Sequence, residues 1–161
     1  VVVCIGTDRS TGDSLGPLVG SYLNSRINVP VFGTMAYPVH ALNIVETLQL
    51  IEYKFDNPYI IAVDACLGKV DNVGCIGVVN QPIKPGVAVG KELPAVGDCS
   101  IIGIVNVGGY MEDSILQSTR LFGVLSMAAK ISQAIAKSLK VEISNRKFMQ
   151  EIAATLEEER T

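Results

Sequence analysis

Residues 1–17 read VVVCIGTDRSTGDSLGP, and residues 59–68 read YIIAVDACLG. Each is an apolar, largely β-branched run that breaks into acid: Asp8 and Asp13 follow the first run, Asp64 the second. An apolar run without alternation marks a strand covered on both faces, as in a parallel sheet. Two such strands side by side deliver Asp13 and Asp64 to one carboxyl edge, where open α/β sheets place their sites.

The flanking segments fit that reading. A helix is expected from Asp13 or Ser14 to about Ser25, with Pro17 tolerated in its first turn. Residues 31–35 form a second strand. Pro38 opens a helix over 39–53, where Val39, Leu42, Ile44, Val45, Leu48 and Ile51 mark an apolar stripe. Asp56-Asn57-Pro58 turns the chain into a strand over 59–63. Alternating strands and helices with short joints predict a parallel sheet with right-handed crossovers. Further on, a strand is expected at 73–79 and a long loop at 81–97, which holds three prolines and repeated glycine. Loops of that length in a compact domain are often functional. A strand at 99–105, a helix over 114–139 and an amphipathic tail helix over 145–159 complete a single α/β domain spanning residues 1–161.

The 161 residues are 48% hydrophobic and only 18% charged. That surplus predicts buried strands or an oligomeric interface, with a homodimer as its simplest form. No apolar run approaches the ~20 residues of a membrane span, so no membrane association is expected. The chain opens on a strand without an initiator Met or basic segment, which leaves a targeting segment upstream open. Net charge is −3 and the longest basic cluster is Asn145-Arg146-Lys147, so nucleic acid is not an expected partner. Cys4, Cys66, Cys75 and Cys99 are spaced neither for zinc nor for a dense disulfide framework. They read as reduced, mostly buried thiols of a cytoplasmic protein.

The glycines around Asp13 invite comparison with a phosphate loop, but five residues separate Gly6 from Gly12 and Asp13 stands where lysine belongs. A carboxylate there repels phosphate. Asp13 itself has two readings of equal standing: a helix N-cap, or a site acid. Gly16 points to a close backbone approach beside it. Asp64 is harder to explain structurally, because a carboxylate after five apolar strand residues must be hydrogen-bonded, protonated, paired or metal-bound. If the two acids meet, one keeps a proton and the pair shares general acid and base duties. Alternatively they hold a divalent metal. Asp8 reads equally as a turn residue. His40, the one histidine, lies on the same sheet edge. Cys66 reads better as a core thiol than as a nucleophile paired with His40. Lys91 and Asp98, flanking the Gly/Pro loop, are candidates to close over the site, against a solvated-charge reading.

Six ordered motifs, GTDRSTGDSLGP, YPVHALN, VDACLG, KPGVAVGKELPAVGD, GIVN and LQSTRL, resemble the YyaC family, regarded as sporulation proteins of spore-forming bacteria. More distantly the chain is similar to the spore germination protease and the hydrogenase-maturation endopeptidases. The resemblance implies a three-layer α/β/α fold with a mainly parallel sheet, of phosphorylase/hydrolase-like type. It also implies a peptidase whose catalytic aspartates fall on Asp13, in Gly12-Asp13-Ser14-Leu15-Gly16-Pro17, and Asp64, in Val63-Asp64-Ala65-Cys66. Gly12 replaces the protease's proline and Lys91 an asparagine. The metal-binding histidine of the maturation enzymes has no counterpart after the third strand.

The expected function is therefore sporulation- or germination-associated hydrolysis of a protein or peptide substrate by Asp13 and Asp64, with no required cofactor. Asp8, His40, Lys91 and Asp98 are expected to bind substrate or tune charge. Two alternatives stand beside it: a catalytically inactive binding or regulatory protein of sporulation, and a metal-dependent maturation-type endopeptidase.

Overall fold

Strand β1 (Val2–Cys4) is buried on both faces, and the rest of the sheet assembles around it. The structure, a computed structural model, describes residues 1–85 and 93–139. After β1 come a 3-10 turn (Gly12–Ser14), α1 (Leu15–Asn24), β2 (Val31–Phe32), α2 (Ile44–Lys54) and β3 (Ile61–Gly68). β4 (Ile76–Val79), β5 (Cys99–Val107), α3 (Glu112–Gln117) and α4 (Leu121–Ser138) follow. Lys91 and the tail helix expected over 145–159 lie outside the described residues.

Among the described residues the sheet order is β2-β1-β3-β5-β4, parallel except for β4, which runs antiparallel to β5. One apolar cluster joins Leu15, Val19 and Leu23 of α1 to Val124, Ala128 and Ile131 of α4, over Val2, Cys4 and Val63. The other packs Ile44 and Ile51 of α2 on Val3, Ile5, Ala62 and Val96. Helices thus cover both faces, giving the three-layer α/β/α architecture with a mainly parallel sheet. From β1 the chain moves one way to β2, then crosses back to β3 on the other side of β1. The strand order therefore reverses between β1 and β3, the position where doubly wound sheets leave a crevice.

Several element boundaries differ from expectation for definable reasons. β2 stops at Phe32 because Gly33 turns with φ +87°, and a Cβ there would overlap the Cys4 carbonyl. The second helix begins at Ile44, not residue 39. Val39 forms a parallel bridge to Ile5, and the His40 carbonyl accepts from the Asn43 and Ile44 amides. The Asn43 side chain reinforces that turn: Oδ1 accepts from the His40 amide at 2.8 Å. The helix expected over 114–139 is broken at 118–120, where buried Thr119 binds Asn106 Nδ2 at 3.2 Å. The loop at 81–97 is pinned by a two-way bridge between Ile83 and Val96 (3.0 and 2.8 Å). All four cysteines are free, but only Cys4 is buried; Cys66 and Cys99 are half-buried and Cys75 is exposed, contrary to the mostly buried set expected.

Ser132 on α4 is fully buried, and its Oγ has no hydrogen-bond partner among the described residues. An unsatisfied buried hydroxyl costs about 1–3 kcal/mol. Ser132→Ala is therefore expected to raise stability by about 1 kcal/mol, read as a higher urea midpoint at unchanged slope.

Candidate active site

Two glycines fasten the acidic turn to the end of β1. Gly6 has φ +140°, and a Cβ there would overlap the Asp13 carbonyl; one at Gly16 would overlap the Ile5 carbonyl. The Thr7 amide donates to the Asp13 carbonyl at 3.1 Å, closing the loop onto its own start. Beneath it the Ile5 amide donates to the Val63 carbonyl at 2.7 Å and the Gly6 amide to the Val39 carbonyl at 2.8 Å. The end of β1 is thus clamped between β3 and the turn that carries His40.

Asp13 lies inside the 3-10 turn. The cap positions belong to Thr11 and Ser14, and neither makes a side-chain cap bond. Its carboxylate is therefore free of the capping duty that the sequence also permitted. Asp64 is placed by strand register. β1 pairs with β3 only as far as Cys4 opposite Val63, whereas β3 continues beside β5 to Gly68. Asp64 is the first residue of β3 beyond its β1 neighbour. It stands within β3, which runs on to Gly68, and not at the strand's end where the sequence placed it.

Strand alternation puts Asp64 and Cys66 on the same face as Ala62, above the apolar cluster of Ile5, Val39 and Ala62. Burial against that floor is the main cause pushing the Asp64 carboxyl well above the usual carboxylate range. The charge of Asp13 pushes it further, and the Ala65 amide, which donates to Oδ1 at 2.8 Å, opposes both. Asp64 retains some accessible surface, so its desolvation comes from close packing and not from full enclosure. Burial also raises Asp13, while the Thr7 amide and His40 hold it down. The two acids are therefore coupled and unequal, Asp64 being raised the further.

His40 accepts the Leu42 amide at Nδ1 (3.3 Å). Cys66 is pushed up by burial and then by the charge of Asp64, so it stays a thiol and lacks the activation a nucleophile needs. Asp8 is exposed in the turn after β1. Asp98 does not reach the site. Its Oδ2 accepts the Ile60 amide at 2.8 Å, and β3 and β5 start in register at Ile61 and Cys99, which places it on the opposite, amino edge. Ser10, which sequence reasoning passed over, has a buried Oγ without a partner among the described residues, three positions before Asp13; its only sequence signal is that position. Among the described residues no three His, Cys, Asp or Glu side chains converge to hold a metal ion. Nor is any described helix long and apolar enough to cross a membrane.

The architecture is similar to that of a solved structure. A [NiFe] hydrogenase maturation protease, HycI from Thermococcus kodakarensis KOD1, superposes with a TM-score of 0.58, covering 86% of this chain and 90% of its own, at 18% identity. Residues 1–134 match the family described as "Protein of unknown function (DUF1256)", and the chain belongs to that family. It is 50% identical over 144 residues to the uncharacterized protein YyaC of Bacillus subtilis (strain 168), covering 88% of this chain and 70% of that protein.

Proposed function

We propose that the protein is a peptidase-like hydrolase in which Asp13 is the general base and Asp64 the protonated acid. The observation that carries this reading is the unequal carboxyl pair at the strand-order reversal. The Asp13 carboxylate takes a proton from water as the oxygen attacks the scissile carbonyl. The Asp64 hydroxyl donates to the carbonyl oxygen and stabilises the charge that develops there. On collapse, the proton held by Asp13 passes to the leaving amine, so peptide and water become acid and amine with no external donor. His40 favours the ionised form of Asp13 and is a positioning residue. The likeness to a maturation protease supports a peptide substrate, and the resemblance to the YyaC family supports a role in sporulation or germination. Four free cysteines suit a reducing, cytoplasmic setting. A homodimer belongs to the same proposal.

Cleavage of unfolded and small acid-soluble spore proteins tests it. Asp13→Asn and Asp64→Asn are each expected to lower the rate by about 10²–10⁴-fold, the usual contribution of a positioned acid or base. Cleavage surviving both substitutions contradicts the mechanism, and a wild type that binds these proteins without cutting them favours the binding or regulatory reading. The rate should follow a bell-shaped pH profile, rising as Asp13 ionises and falling as Asp64 does, the two limbs belonging to the pair. In the activity that remains, Asp64→Asn should lose the alkaline limb and keep the acid one.

A further inference from the structure

At the β2 edge of the sheet a cleft of about 510 Å³ opens between β2 and α2. It is not centred on the acids but meets them through His40, which lines it and also acts electrostatically on Asp13. Its volume lies in the range of ligand clefts, about 300–1,000 Å³. No Asp, Glu, Lys or Arg lines it. Three of its polar side chains, Asn43, Thr47 and Thr34, bind backbone within the cleft. Asn43 accepts from the His40 amide and donates to the Pro38 carbonyl (3.0 Å). Thr47 Oγ donates to the Asn43 carbonyl (2.9 Å), and Thr34 Oγ accepts the Tyr37 amide (3.1 Å). Its apolar lining is Val31, Phe32, Val39 and Leu50, with Asn24, His40 and the Tyr37 hydroxyl as the polar groups left beside it. Of the lining residues Tyr37 is 82% exposed.

We propose that this cleft is a specificity subsite that takes one large apolar side chain, of the leucine, methionine or phenylalanine class, from the peptide whose bond is presented to Asp13 and Asp64. A charged side chain would lose its hydration there without a partner. A small one would leave the cleft unfilled. This inference rests on the peptidase reading for its substrate but not for its test.

The probes are N-acetylated, amidated pentapeptides Ala-Ala-X-Ala-Ala with X as Leu, Phe, Ala or Asp, titrated into the full ¹⁵N-labelled chain. The Leu and Phe peptides are expected to shift the amides of Phe32, Tyr37 and Thr47, and to bind about tenfold or more tightly than the Ala and Asp peptides. Thr47→Phe, which fills the cleft from α2, should remove that preference with the spectrum otherwise intact. Should Thr47→Phe misfold, Leu50→Glu, on the partly exposed face of α2, gives the same test by adding charge. Equal binding of all four peptides, or shifts confined to other surfaces, overturns the proposal. Apolar-selective binding without cleavage would uphold the subsite and refute the peptidase reading; cleavage indifferent to X would do the reverse.

Discussion

Asp64→Asn is expected to slow hydrolysis by about 10²–10⁴-fold and to make the protein more stable at pH 7. Folding carries this carboxyl above its ordinary value, through burial first and the Asp13 charge second. The native state therefore holds a proton that the unfolded chain, with an aspartate near pH 3.9, releases. Stability is full below about pH 4 and is lost as pH rises toward the raised value, at no more than about 1.4 kcal/mol per pH unit. Asparagine has no proton to hold, yet its Oδ1 still accepts the Ala65 amide as Asp64 does at 2.8 Å. Urea midpoints should accordingly separate at pH 7, with the variant higher, and converge near pH 4. A variant that is inactive but less stable at pH 7 would mean that Asp64 is held as a favourable carboxylate, and the acid assigned to it would be wrong. Stability gained where activity is lost is the ordinary signature of a strained functional group.

Gly16→Ala should produce the largest structural loss. Helix propensity alone predicts the opposite, since alanine is preferred over glycine within a helix by about 1 kcal/mol. The added methyl would instead overlap the Ile5 carbonyl. Ile5 cannot retreat, because its amide is bonded to Val63 and its backbone is bridged to Val39. Steric overlap with fixed backbone outweighs propensity, for a net loss on the order of 3–4 kcal/mol. Gly123→Ala in the first turn of α4 is the matched control, since nothing lies within 4 Å of its Cβ position; it should gain about 0.5–1 kcal/mol. Chemical denaturation of the two variants reads both numbers. Equal effects would mean that α1 does not rest on β1 as described.

Much of this was legible in the chain. The unalternating runs at residues 1–5 and 59–63 announced buried parallel strands, and they picked out Asp13 and Asp64 because acid at the end of such a run has few structural uses. Gly16 was readable as a close approach. The tertiary overrides were not. Val39 carries a helical period and yet is taken into the sheet by Ile5. The period from Ile115 to Ile135 runs straight through the break that Asn106 imposes at Thr119. Asp98 adjoins the Gly/Pro loop in sequence, but the register of β5 on β3 carries it to the far edge. The inequality of the two acids was beyond pattern reading as well. It depends on β1 ending one residue before Asp64, on the apolar floor beneath it, and on a histidine that acts on Asp13.

Site-resolved titration of the carboxyl groups by ¹³C NMR tests the central claim most directly. The Asp64 carboxyl should stay protonated well above the ordinary aspartate range while Asp13 ionises first, and Asp13→Asn should bring the Asp64 midpoint down by removing the neighbouring charge. Two carboxyls that titrate independently near pH 4, each indifferent to loss of the other, would contradict it.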